Sequence, residues 1–331
     1  MTIDRYVAYA DRIQSVSPSY AAWARSVDPS VAEVLEAVPP TKRQPELAFA
    51  VARRLGADPA DPLAFRTIVL EDPPAFVTAL ASATTQANDP RRLAPIVPII
   101  GALAGDAPIG LLEVGVSAGL TALPDHATVE YRTTDGTVRM SMGKTPVVAL
   151  VAEAVGHIPA PVAPIDVVAR IGLDPAPIDL AAPGSFERLV ESVPPEATDR
   201  LALMRAAASA AVVAPPDRIT GTVEGDLDAA LDRLPADSVQ IVLTLGTLVY
   251  VPGRERQRFV DRVRERGVHW VSMERTGTLS EIGELMPSEA VLASLGAPVG
   301  SENAFATVAL DGRPLAVADP FGTRIAWFDQ P

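Results

Sequence analysis

The 331-residue sequence contains no cysteine, which excludes a disulfide framework, a thiol nucleophile and a thiolate-ligated metal. Histidine is almost as scarce: His126, His157 and His269 are the whole complement, and none stands at metal-ligand spacing from another, so a metal centre is not expected. Positive charge is also short, with 28 Lys and Arg against 41 Asp and Glu and a net charge of -13. Such a balance repels a polyanion, so nucleic acid is not an expected partner. No run approaches the roughly 20 apolar residues that span a bilayer, because proline, glycine and charges break every candidate. The N-terminal MTIDRYVAYADRIQ carries Asp4, Arg5, Asp11 and Arg12 at helical spacing with no apolar signal core, so neither a membrane nor a secretory route is expected and the cytoplasm is the expected location.

What remains is an ordinary folding composition, 48% hydrophobic and 21% charged, in a length that suits one large domain or two smaller ones. Residues 1 to 106 read as helices: VAEVLEAV, PELAFAVARRL, PPAFVTALASA and LAPIVPIIGALAG repeat apolar residues every three or four positions. Ser17, Asp28 and Asp61 stand at cap positions, and Asp28 and Asp61 each precede a proline suited to a first helical turn. This stretch is expected to form an N-terminal helical cap.

From residue 107 onward the pattern changes. IGLLEVG, DVVARIGLD, RITGTVEGD, VQIVLTLG and GVHWVSMER are short apolar runs, most of them β-branched, separated by the helix-like TPVVALVAEAV, PGSFERLVESV, ATDRLALMRAAASAAV, DLDAALDRL and RERQRFVDRVRER. Buried strands alternating with amphipathic helices predict a doubly wound, mostly parallel α/β sheet over 107–331. Among basic clusters, Arg53-Arg54, Arg91-Arg92 and residues 254 to 266, the last reads as the solvated face of a helix. YRTTDGTVRMSM predicts a hairpin insertion near 127–143, and Asp311-Gly312 predicts a C-terminal antiparallel hairpin that closes the sheet. The proline-rich HIPAPVAPID reads as a surface crossing.

The segment most charged with chemistry is LLEVGVSAGLTAL. An apolar strand ends at Glu113-Val114-Gly115, a small-residue turn runs through Ser117 and Gly119, and a helix is expected to open behind it. Glycines there admit a ligand to the backbone, and a helix start offers free N–H groups. Asp174 closes one following strand, and Glu224-Gly225-Asp226-Leu227 is expected to close the next, so that two acids meet at the carboxyl edge of the sheet. Each has a plainer alternative: Asp226 as a helix cap, Asp174 as an exposed loop acid before Pro175.

Taken together, these residues resemble class I S-adenosylmethionine-dependent methyltransferases. Glu113 to Gly119 is similar to that superfamily's first motif, with Glu113, Gly115, Ser117 and Gly119 on the cofactor, although Ser117 stands where many members have glycine. Asp174 resembles the ribose-binding acid, and Gly225, Asp226 and Leu227 resemble the adenine-side motif. The resemblance implies a Rossmann-like sheet, S-adenosylmethionine as cofactor and methyl transfer to a small-molecule substrate. More narrowly, TTQANDPRR, LLEVGVSAGL, RIGLDPAPIDL, VEGDL and VHWVSMER resemble the mostly actinobacterial family known as domain of unknown function 2332.

On the substrate side, Gln86, Asn88, Tyr250 and Glu274 are the candidate catalytic residues. Gln86 and Asn88, with Asp89 and Arg92, lie between two helices where they could reach the crevice or simply cap. Tyr250 follows the fourth core strand, either orienting a nucleophile or packing. Glu274 ends VHWVSMER as a base or amine holder, or as the partner of an arginine such as Arg275. No serine elbow, phosphate-binding lysine loop or histidine pair is present, which argues against hydrolase, kinase and metalloenzyme chemistry. A sulfonium methyl is already activated, so the lack of a histidine base does not weigh against methyl transfer. Two alternatives stay open: a lyase or alkyl transferase using the same cofactor, and a non-catalytic ligand-binding scaffold.

Overall fold

The computed structural model describes residues 2–83, 88–143, 146–160, 164–294 and 306–328. Along the chain come helices α1 (Thr2–Ile13), α2 (Pro18–Arg25), α3 (Pro29–Glu36), α4 (Pro45–Arg54), α5 (Ala64–Glu71), α6 (Pro73–Ser82) and α7 (Val97–Ala104). Strands β1 (Ile109–Val114), β2 (Ala127–Thr133), β3 (Gly136–Ser141), β4 (Val148–Val155) and β5 (Val167–Asp174) follow. Next are α8 (Ser185–Val190), α9 (Thr198–Val213), β6 (Asp217–Thr220), α10 (Val223–Leu231), β7 (Val239–Leu245), α11 (Gly253–Glu265) and β8 (His269–Arg275). Helices α12 (Ser280–Glu284) and α13 (Glu289–Ser294) precede β9 (Ala306–Leu310), β10 (Arg313–Ala318) and β11 (Arg324–Trp327). The chain divides into two units, Met1–Ala87 with Pro183–Ala202, and Asn88–Ala182 with Leu203–Pro331.

The first unit is helical. Ser17 caps α2 by accepting from the Tyr20 N–H at 3.2 Å, and Asp28 caps α3 by accepting from Val31 at 3.0 Å, each just ahead of a first-turn proline. Asp61 does not cap a helix. Its Oδ1 takes the Leu63 N–H at 2.9 Å in a turn before α5, and its carbonyl takes the Trp23 indole N–H at 2.8 Å, which holds Pro62 outside the helix. Apolar faces of α1, α2, α4 and α5 bury one aromatic cluster, in which the Phe49 ring meets Tyr6, Tyr9, Tyr20, Trp23 and Phe65 edge-on at 4.8 to 5.9 Å.

Residues 183–202 join this unit through polar anchors. Arg53 donates to the carbonyls of Glu191 at 2.9 Å and Val193 at 3.0 Å, and Arg54 pairs with Glu191 at 2.5 Å. Glu196 accepts from the Ser17 hydroxyl at 2.6 Å and the Ser19 N–H at 2.9 Å, which places a carboxylate at the start of α2.

The second unit is a mixed α/β structure around an eleven-stranded sheet of order β3-β2-β4-β11-β10-β9-β8-β7-β1-β5-β6. The block β6-β5-β1-β7-β8 is parallel throughout. Strand β1 is buried along its whole length between β5 and β7, as a strand covered on both faces must be. Beyond β8 the strands β9, β10 and β11 form an antiparallel meander, and β11 then runs parallel to β4. The meander's first turn is Asp311-Gly312, with φ of 51° and 83°, and Asp311 secures it by accepting the Trp270 N–H at 2.7 Å.

Three expected elements differ. TPVVALVAEAV is not a helix but strand β4, whose residues alternate buried and exposed from Val148 to Ala154. Its apolar spacing satisfies both the helical and the two-residue period, and pairing with β2 and β11 decides for the strand. RITGTVEGD is a strand only as far as Thr220, because Thr222 caps α10 by accepting from the Gly225 N–H at 3.2 Å. No helix opens after Gly119: residues 117–122 form turns and bends, a single 3-10 turn covers Pro124–His126, and β2 begins at Ala127. Among the described residues no helix is long and apolar enough to cross a membrane.

Phe49→Ala removes the ring at the centre of the aromatic cluster. It is expected to cost about 3–5 kcal/mol, read as a lowered urea midpoint for the helical unit.

Candidate functional site

The sheet's strand order reverses at β1. From it the parallel strands run to β5 and β6 on one side and to β7 and β8 on the other, and ligands of such sheets bind at the carboxyl ends of the strands around that point. Three nearly fully buried carboxylates occupy this edge: Glu113 at the end of β1, Asp174 at the end of β5 and Glu274 at the end of β8.

Asp174 holds the turn that follows β1. Its Oδ2 accepts from the Ser117 N–H at 2.9 Å and its Oδ1 from the Ala176 N–H at 2.8 Å, so it is neither exposed nor a loop acid. The turn needs the restraint. Gly115 and Gly119 adopt φ of 80° and 81°, and Ser117, which has a Cβ, adopts φ of 50°, a left-handed conformation that costs a side-chain-bearing residue about 1 kcal/mol. A Cβ on Gly115 would lie 2.6 Å from Thr247 Cγ2, and one on Gly119 would lie 3.0 Å from Pro216. The two glycines therefore admit the protein's own side chains to the backbone.

Glu113 sits beneath this turn in a relay of buried polar groups. The Asn88 side-chain amide donates to the Thr121 hydroxyl at 2.9 Å, and that hydroxyl donates to Glu113 Oε1. Asn88 Oδ1 in turn accepts the Leu120 N–H at 2.6 Å. Glu113 Oε2 is buried without a hydrogen-bond partner. Burial pushes the Glu113 carboxyl up to about 8, with the Asp174 charge adding to the rise and the Thr121 hydrogen bond and Arg92 opposing it.

Glu274 organises the other side. Its carboxylate accepts the N–H groups of Thr247 at 3.1 Å and Leu248 at 3.1 Å, fixing the loop after β7. Burial raises its pKa against those hydrogen bonds. Its partners are thus these backbone amides and the Thr244 side chain, and not Arg275. Arg92, the cation that acts on both Glu113 and Glu274, donates to the carbonyls of Leu245 at 2.8 Å and Pro320 at 3.2 Å. Arg92 is therefore engaged with the sheet edge.

The remaining expected residues separate. Asn88 binds the turn through Thr121 and Leu120, while Asp89 caps the 3-10 turn Pro90–Leu93 and pairs with Arg91 at 2.7 Å. Tyr250 is 72% exposed in the 3-10 turn Leu248–Tyr250, so it is not a packed core residue. Gly225, Asp226 and Leu227 lie in the first turns of α10 and not at a strand end; Asp226 Oδ2 accepts the Thr222 N–H at 2.9 Å, and Leu227 is buried in the core. Gln86 lies outside the described residues. Thr247 and Pro216, which fill the glycine faces, were not singled out in the sequence; their only signal was position, one just past β7 and the other just before β6.

The family model described as an uncharacterized protein conserved in bacteria (DUF2332) matches residues 4–327. The chain belongs to this family. No curated protein and no solved structure matches the sequence. In this DUF2332 member the match takes in β1, the left-handed turn, Asp174 and Glu274 alike.

Because the folded Glu113 carboxyl titrates near 8 against 4.5 unfolded, its stabilising contribution is complete below about pH 4.5 and is lost as pH rises to about 8. Urea midpoints are expected to fall between pH 6 and 9. Glu113→Gln, which cannot ionise, is expected to flatten that decline by on the order of a few kcal/mol.

Proposed function

We propose that the chain binds S-adenosylmethionine at the carboxyl edge of β5, β1, β7 and β8 and transfers its methyl group to a small acceptor. The observation that carries this reading is the set of three buried carboxylates, Glu113, Asp174 and Glu274, around the strand-order reversal. A Rossmann-like reading of β6-β5-β1-β7-β8 is supported by its parallel order and by the helices α9, α10 and α11 that link its strands.

The donor set suits a cation. With no helix opening behind Gly119, the feature that usually holds a pyrophosphate is missing, and the charge at the edge is acidic with Arg92 as its counter-ion. Glu113 Oε2 is buried and unpartnered, and a charged donor would satisfy it. When bound, S-adenosylmethionine brings an ammonium, a sulfonium and an already activated methyl group. Glu113 would hold the ammonium end, oriented by Thr121 and Asn88. Asp174 would keep the Gly115 to Gly119 turn in shape beside the ligand, Asp226 would border the adenine side, and Tyr250 would face the acceptor. A second reading, a non-catalytic scaffold that binds a ligand at the same edge, is favoured by Thr247 and Pro216 filling the faces of Gly115 and Gly119.

Calorimetric titration with S-adenosylmethionine and S-adenosylhomocysteine tests the site. Since a cation would draw the proton from Glu113, binding is expected to release up to one proton. The measured heat would then differ between phosphate and Tris buffers, and affinity would tighten as pH rises towards 8. Glu113→Gln is expected to weaken binding about tenfold, roughly 1.4 kcal/mol, and to abolish both dependences. Absence of binding by either ligand would overturn the proposal; binding without any methylated product across an acceptor screen would favour the scaffold.

A further inference from the structure

Along α11, Arg256, Val260 and Arg264 recur every four residues and line one wall of a pocket of about 170 Å³. Trp270 of β8 and Ile282 of α12 supply its apolar surface, and an adjoining pocket of about 230 Å³ shares Val260, Arg264 and Trp270. Arg264 is paired with Glu281 at 3.5 Å, which neutralises one of the two guanidiniums. Arg256 is different. Its Nη1 donates to the Thr278 carbonyl and its Nη2 to the Val251 carbonyl at 3.0 Å, its Nε is buried with no acceptor, and among the described residues it has no carboxylate partner.

We propose that this pocket is a second ligand site, which takes the carboxylate of a small organic acid at Arg256 and its apolar body against Trp270, Val260 and Ile282. A part-buried guanidinium with no counter-ion is costly, and a carboxylate seated in the pocket beside it removes that cost. The planar edge of the guanidinium matches a carboxylate side-on. Inorganic phosphate offers the charge, but it lacks the apolar body that the rest of the lining calls for. The site also touches the loops of the carboxyl edge: Arg256 ties Val251, just after the Leu248–Tyr250 turn, to Thr278, just after β8. An acid bound there would stiffen the loops that flank Glu274 and Tyr250, whatever ligand the carboxyl edge itself holds.

Benzoate is a suitable probe, with benzyl alcohol and inorganic phosphate as comparison arms and Trp270 fluorescence as the readout. A saturable change with benzoate is expected, absent from the Trp270→Phe protein, absent with benzyl alcohol and at least tenfold weaker with phosphate. Arg256→Lys keeps a charge but loses the planar edge, and affinity for benzoate is expected to fall tenfold or more. Val260→Phe narrows the pocket beside Arg256, so binding should be lost while the circular dichroism spectrum stays near that of the parent, the thermal midpoint falling with the overpacking of a buried position. The proposal is overturned if benzoate leaves Trp270 unperturbed, if benzyl alcohol or phosphate binds as well, or if both substituted proteins bind benzoate like the parent.

Discussion

The hydrogen bond from the Ser117 N–H to Asp174 is the restraint on which the carboxyl edge depends. The turn after β1 passes through three left-handed residues, one of which carries a side chain, and such a backbone holds its shape only when the surroundings over-determine it. Asp174 supplies that determination from the neighbouring strand, and the Ile178 N–H, which donates to the Ser117 carbonyl at 2.9 Å, fixes the other side of the same residue. The turn in turn positions Leu120 and Thr121, which reach Asn88 and Glu113. A single buried carboxylate thus sets where a second buried carboxylate stands.

The edge is built as a set of paired debts and credits. Glu274 is buried but accepts backbone N–H groups, Asp174 likewise, and Arg92 lends its charge to two acids while its N–H groups are used on carbonyls. Of these three acids Glu113 alone keeps an unmet oxygen, and its carboxyl responds by holding its proton to about pH 8. The same contrast separates Arg256 from Arg264 on α11: similar residues on one helix face, one with a carboxylate and one without.

Much of this architecture was legible in the sequence, because buried parallel strands leave unbroken apolar runs. IGLLEV, VVARIGLD and VQIVLTL each became a core strand close to where the run lies. The position of Asp174 at a strand end was legible for the same reason, whereas its partner was not, since the Ser117 N–H comes from a left-handed turn 57 residues earlier. Local signals failed where two periods coincide, as in β4, or where a cap cuts a strand short, as Thr222 does ahead of Asp226. Asn88 looked like a residue free to face a crevice because the segment around it is polar; the buried hydroxyl of Thr121 and the amide of Leu120 that claim it are tertiary neighbours. Residues 183–202 carry an ordinary helical pattern, and nothing local marks Glu191 and Glu196 as the groups that tie them to Arg53, Arg54 and Ser17.

That last attachment reverses the usual order of assembly during synthesis. Domains generally fold from the N-terminus as the chain emerges, yet the helical unit lacks the Glu191 and Val193 carbonyls that receive Arg53, and the Glu196 carboxylate at α2, until residue 196 has been made. By then β1 to β5 have already been synthesised, while β6, β7 and β8 have not. The first helices of the chain must therefore wait, incompletely satisfied, through the synthesis of half the sheet, and a fragment ending at residue 87 would carry the aromatic cluster without the segment that finishes its polar shell.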